Sequence, residues 1–223
     1  MNPLLTDIAY ILDRSGSMKG MEEAAVTAYN QFVKAQLDVP GDALFTFIQF
    51  DDAYEVHIPP RPVQNVPELA AAGYTPRGST ALLDAIGRTV LDTDRRISAL
   101  PEPQRPGKVI VAIFTDGYEN ASREFTLERI SDLIRHYRDT QGWEFIFLAA
   151  NQDAIATAGA MQMSAEYASS VVFSEKGVKS TGSAMARKIR ALRMKSSGTM
   201  DQQAMEDDLK PMDQILREEE DKD

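Results

Sequence analysis

The hexapeptide Asp13-Arg14-Ser15-Gly16-Ser17-Met18 follows Ile8-Ala9-Tyr10-Ile11-Leu12, a short run that is apolar throughout. Such a run reads as a buried central strand of a parallel sheet, covered on both faces. The hexapeptide then falls at the strand's carboxyl end, the edge at which open α/β sheets bind ligands. An acid and two hydroxyls spaced by two residues, with Gly16 relieving the turn, suit a hard divalent cation that takes oxygen ligands. The same residue types also suit ordinary turn chemistry, so the stretch needs support from elsewhere in the chain.

Two distant segments supply it. Thr80 lies in Gly73-Tyr74-Thr75-Pro76-Arg77-Gly78-Ser79-Thr80, just ahead of a helical pattern, and Asp116 follows the apolar run Val109-Ile110-Val111-Ala112-Ile113-Phe114 and precedes Gly117. Taken singly, Asp13 reads equally as a turn cap, Thr80 or Ser79 as a helix N-cap, and Asp116-Gly117 as a turn dipeptide. In this order, the three segments together resemble the metal-ion-dependent adhesion site of von Willebrand factor A (VWA) domains. That family's pattern is D-x-S-x-S, then a threonine before a helix, then an aspartate and glycine after an apolar strand. The resemblance covers roughly the first 175 to 195 residues. It implies Asp13, Ser15, Ser17, Thr80 and Asp116 as metal ligands, directly or through water, for Mg²⁺ with Mn²⁺ or Ca²⁺ as options. It also implies a coordination position left for a Glu or Asp of a protein partner, in a short intracellular adaptor or assembly protein.

The rest of the chain alternates strand and helix. Strands are expected at about 5–12, 43–50, 54–58, 108–115, 143–150 and 171–173, and helices at about 20–37, 80–99, 126–140 and 152–160. Only an antiparallel pair permits the short connection Asp51-Asp52-Ala53, and Pro59, Pro60 and Pro62 fit an edge strand. The expected fold is α/β: a doubly wound, Rossmann-like sheet, mostly parallel with one antiparallel edge strand, and helices on both faces.

Charge divides the C-terminal part. Residues 176–200 hold seven bases and no acid, whereas residues 201–223 hold ten acids against three bases. Met185, Ile189 and Leu192 recur at helical spacing among the bases. We therefore read residues 1–195 as one domain ending in a basic helix, and 196–223 as an acidic tail able to pair with it, either mobile or a partner-dependent helix, since Met205, Leu209, Met212 and Leu216 fall at roughly helical spacing with Pro211 interrupting. The net charge of −10 argues against nucleic acid as a ligand, as does the lack of aromatic residues in the basic stretch. There is no cysteine, hence no disulfide framework or thiolate chemistry. The longest apolar runs are strand-sized, well short of the roughly 18 residues of a membrane span. The N-terminus lacks the basic and apolar regions of a signal peptide, so a cytoplasmic location is expected. Nothing specifies an oligomeric state.

A Mg²⁺-dependent phosphatase or phosphotransferase of a Rossmann-like hydrolase fold is the rival class, since those enzymes also set an aspartate after the first strand. They need a second acid two residues on, where this chain has Ser15, and Lys108 falls at the wrong end of its strand. Other residues near the site carry two readings each. Arg14 and Arg77 recognise an acidic partner or are solvated. Met18 and Met21 offer apolar contact or join the core. Asp84 braces a loop or lies solvated on its helix. Glu119 and Asn120 shape the metal rim or lie in an exposed loop. Asn151 and Asp153 touch a ligand or cap a helix. His57 and His136 stand isolated and do not read as catalytic bases.

Overall fold

A computed structural model describes residues 1–150 and 153–222. Six strands form one sheet: β1 (Asn2–Asp13), β2 (Asp42–Phe50), β3 (Tyr54–Pro62), β4 (Pro106–Thr115), β5 (Glu144–Ala150) and β6 (Ala168–Val171). Their order is β3-β2-β1-β4-β5-β6, and all neighbours are parallel except the β2–β3 pair at the edge. This is the expected architecture.

The near-continuous apolar runs have a simple cause: successive side chains enter different cores. Ile8, Tyr10 and Leu12 of β1 join one core, with Ile110, Ala112 and Phe114 of β4. Ala9 and Ile11 join the opposite core, with Val109, Val111 and Ile113. Helices α1 (Glu22–Leu37) and the later α5 (Glu175–Ser197) cover the first face. The second face is covered by α2 (Leu82–Ser98), α3 (Leu127–Gln141) and α4 (Ala154–Ala160). Strand β1 thus sits between β2 and β4, where the winding direction reverses, and the hexapeptide loop opens at that reversal point.

Two boundaries differ from the sequence reading. The last strand uses Ala168-Ser169-Ser170-Val171 rather than the apolar triplet 171–173, and Val172 is exposed. Parallel pairing with β5 fixes that register and overrides local strand propensity. The second difference is larger. The acidic tail is not mobile: of its two readings the helical one holds, as α6 (Gln202–Leu209) and α7 (Met212–Glu220), which pack on α5 of the same chain. Met212, Ile215 and Leu216 are buried in the first core, and Ala204 of α6 is buried against Ala191 and Met194 of α5. Arg187 pairs with Asp207, Glu218 and Glu219, Arg190 with Asp201, and Lys195 with Asp208. The two charge blocks do meet.

Two bases of this helix, Lys188 and Arg193, are interior. Lys188 donates to the backbone carbonyls of Asp207, Asp208 and Lys210, closing the end of α6. Arg193 donates to the carbonyls of Gln36, Val39 and Gly41, closing the end of α1. Cations suit such carbonyl-rich ends, although burial pushes Lys188 down and Arg193 to about 10. Among the described residues no helix is long and apolar enough to cross a membrane.

Helices α1 and α5 cross at Gly182, where any added Cβ would overlap the Ala28 carbonyl. Gly182→Ala is therefore expected to force the helices apart and cost about 1–3 kcal/mol, read as a lower denaturant midpoint with unchanged slope. An unchanged midpoint would show that the crossing is not tight.

Candidate metal centre

The end of β1 delivers Asp13, which is fully buried. Its carboxylate accepts from the Ser15 amide at 2.7 Å and from the Thr115 hydroxyl at 2.5 Å, the latter residue ending β4. Its backbone carbonyl accepts from the Tyr74 hydroxyl at 2.5 Å. Ser15 and Ser17 stand 3.0 Å apart, hydroxyl to hydroxyl, and the Ser17 hydroxyl donates to Asp116 Oδ1 at 2.8 Å. Gly117 brings in the last residue: a Cβ there would lie 2.9 Å from Thr80 Oγ1 and 3.5 Å from Ser17 Oγ. The hydroxyls of Thr80 and Ser17 thus face the same small space, and only a glycine leaves it open. Asp13, Ser15, Ser17, Thr80 and Asp116 therefore meet in one place, although they come from three loops.

Backbone contacts register these loops. The Gly16 amide donates to the Gly78 carbonyl at 3.1 Å, and the Arg77 amide to the Arg14 carbonyl at 2.8 Å. Asp51, in the β2–β3 turn, is buried and accepts from Arg14 Nε at 3.0 Å and Arg77 Nε at 2.8 Å, while its carbonyl accepts from the Ala81 amide. Arg14 also pairs with Glu55 at 2.8 Å.

The donor set fits a hard divalent cation. Burial raises Asp13 to about 6 against the hydrogen bonds of Thr115 and Ser15, and the neighbouring Asp116 charge raises it further. Burial raises Asp116 as well. Two carboxylates that each disfavour ionisation, with three neutral hydroxyls beside them, are a place where positive charge is favoured. Among the described residues no group of three or more His, Cys, Asp or Glu side chains is placed to hold a metal. A cation at this edge thus depends on the hydroxyls.

Several single-residue readings change. Helix α2 starts at Leu82 with no side-chain cap from the residue before it, so Thr80 is not an N-cap. The helix end is not open to an incoming anion either. Glu119 accepts from the Leu83 amide at 2.9 Å, and the Ser122 hydroxyl accepts from the Asp84 amide at 3.0 Å. Asp84 accepts from the amides of Arg123, Glu124 and Phe125, which holds the loop entering α3. Met18 is wholly buried and belongs to the core, with Met21 packed beside it. Asp153 caps α4 by accepting from the Ala156 amide, and Asn151 lies outside the described residues. His57 Nδ1 lies 3.8 Å from a Glu55 carboxylate oxygen and His136 stacks edge-on against Tyr137. Tyr74, Thr115 and Asp51 were not singled out from sequence. Thr115 and Tyr74 do sit inside the segments that carry the pattern, the only signal available.

No protein-family model matches the chain, and no curated protein sequence does. Solved structures do. A von Willebrand factor type A protein from Catenulispora acidiphila is similar with a TM-score of 0.53 at 18% identity, over 86% of this chain and 43% of that one. Proximal thread matrix protein 1 from the mussel byssus, solved with a zinc-occupied MIDAS (metal-ion-dependent adhesion site) motif, is similar at 0.55 and 18%, over 81% and 46%. The ArnB paralog VWA2 from Sulfolobus acidocaldarius is similar at 0.51 and 16%, over 84% and 45%. The chain spans less than half the length of each. The shared property is the Rossmann-like VWA fold.

Proposed function

We propose that this chain is a metal-dependent protein-binding module with an adaptor or assembly role rather than an enzyme. Asp13, Ser15, Ser17, Thr80 and Asp116 hold one divalent cation, Mg²⁺ first and Mn²⁺ or Ca²⁺ as alternatives. A bound cation there supplies a Lewis-acidic position for one carboxylate oxygen from a Glu or Asp of a protein partner. The observation that carries the reading is the convergence of two buried carboxylates and three hydroxyls at the sheet's reversal point, with Ser17 bonded to Asp116 across 99 residues of sequence. The mussel protein, with zinc in the site of that name, supports it as a neighbour in fold.

Neutral hydroxyls do two jobs here. They add oxygens without adding charge, so the two aspartates leave the cation short of anionic ligands. They also pack closely, which two further carboxylates would not do. The phosphatase reading gains no support. Ser15 fills the place of the second acid, and Lys108 is held at the opposite end of the sheet by Glu144 and the Gly142 carbonyl.

Isothermal titration is expected to show Mg²⁺ binding by the wild type and none by Asp13→Ala or Asp116→Ala. Affinity capture is expected to retain a partner in Mg²⁺ and release it in EDTA. A wild type that binds no divalent cation, or metal-dependent turnover of phosphate esters abolished by Asp13→Asn, would overturn this reading.

A further inference from the structure

The loop after Asp116 is built for a task that the five ligand residues do not share. Asn120 holds the peptide of Thr80 on both sides: its Oδ1 accepts from the Thr80 amide at 2.9 Å, and its own amide donates to the Thr80 carbonyl at 3.0 Å. The Ala121 amide donates to the same carbonyl at 3.2 Å. Glu119 locks this arrangement to the helix behind it. Its carboxylate accepts from the amides of Ala121 and Ser122 and from the Ser122 hydroxyl within its own loop, and from the Leu83 amide in the first turn of α2. A carboxylate at a helix N-terminus is favoured by the exposed amides there. The loop carrying Asp116 and the loop carrying Thr80 are therefore one stitched unit.

We infer that Glu119 and Asn120 are positioning residues of the metal site. They touch no cation. They hold the Thr80 hydroxyl against Gly117, beside Ser17, and so set how tightly a divalent cation is held. The inference rests on the proposed metal binding and adds who controls it. Thr80 has two anchors. One is the Ala81 amide on the Asp51 carbonyl, and the other is the Glu119–Asn120 clamp. With the clamp removed, Thr80 keeps its place in the chain but not its fixed distance to the two aspartates. Outer partners that orient ligands are worth 10- to 100-fold in metal affinity.

The test is Mg²⁺ titration by calorimetry, with thermal melting in EDTA and amide exchange at Thr80 as readouts that need no metal. Asn120→Ala removes the acceptor for the Thr80 amide and is expected to weaken Mg²⁺ by roughly 10- to 100-fold. Its melting point in EDTA stays close to wild type, and Thr80 exchanges faster. Asn120→Asp keeps that acceptor and is expected to restore wild-type affinity or exceed it. Glu119→Gln sets an amide group against one of its donors and is expected to weaken Mg²⁺ comparably; should it fail to fold, the Asn120 pair carries the test alone. Arg88→Ala removes the Arg88–Glu124 pair and the contact of Arg88 over the Tyr54 ring, neither of which touches Thr80, and is expected to leave affinity unchanged. Unchanged affinity in Asn120→Ala sinks this inference and leaves the proposed function standing. So does an affinity loss that appears only with an equal loss of folding, or one that Asn120→Asp does not recover. Absence of Mg²⁺ binding by the wild type sinks both.

Discussion

In EDTA at pH 7, Asp13→Asn is expected to melt several degrees above the wild type, and the order is expected to reverse when Mg²⁺ is added. Asp13 is fully buried, and burial carries its carboxyl from 3.8 to about 6. An acid whose folded-state value is raised binds its proton more tightly when folded. Its ionisation therefore costs stability progressively as pH rises from about 4 to about 6, and the cost is constant above that. A shift of this size corresponds to an upper limit of about 3 kcal/mol. The Thr115 hydroxyl and the Ser15 amide reduce it, because both donate to the carboxylate and an asparagine accepts well from only one. For a chain of this length each 1 kcal/mol moves melting by roughly 2–4 °C. Near pH 4 the two proteins are expected to coincide. Melting curves at pH 4, 5, 6 and 7 check the window. A gap between the two that is the same at pH 4 and pH 7 would place the cost of the aspartate somewhere other than its charge.

Arg187→Ala is expected to be the most damaging change outside the candidate metal centre. The guanidinium joins α5 to both C-terminal helices at once, donating to Asp207 and Glu219, which are buried, and to the partly exposed Glu218. Removing it leaves these carboxylates facing one another without their common counter-charge. Breaking a buried pair on one side costs about 3–5 kcal/mol, enough to lower melting by on the order of 10 °C in a chain of this size. Hydrogen bonds from Lys210 and Arg187 hold Glu218 down to about 2, from an ordinary value of 4.5. Its contribution is therefore complete above pH 4.5 and is lost as pH falls toward 2. Limited proteolysis follows the local consequence, since cleavage within 201–222 is expected to precede cleavage elsewhere in the variant. Wild-type resistance and melting in Arg187→Ala would mean that Met212, Ile215 and Leu216 hold the two helices without help from charge.

The sheet and the five clustered residues were legible because each rests on a local rule. Ile8 to Leu12 and Val109 to Phe114 are apolar at every position and short, as suits a strand covered on both faces. The hydroxyls and aspartates then fall at strand ends, where parallel topology collects loops at one edge. What sequence did not yield depends on contacts across the fold. Lys188 and Arg193 look like the polar stripe of a basic helix, yet they end up inside because α6 and α1 present carbonyls to them. The tail's helical spacing is visible but its apolar residues are sparse, so the surface they dock on is not; Met212, Ile215 and Leu216 suffice once α5 supplies that surface and opposite charge. For Glu119 and Asn120 the sequence leaves the metal rim and an exposed loop both open, since their partners, Leu83 and Thr80, lie 36 and 40 residues earlier.

The second residue of the hexapeptide loop is a base, and its fate shapes what the loop is able to attract. Arg14 is buried, tied to Asp51 on one side and Glu55 on the other. The loop's own cation is thereby withdrawn from any visitor and spent as mortar between the first strand and the edge hairpin. Under the proposed metal binding, attraction for a negatively charged guest at that spot would fall to an exchangeable ion instead of this side chain, and a change in ion supply would then switch the surface while the fold stays as it is.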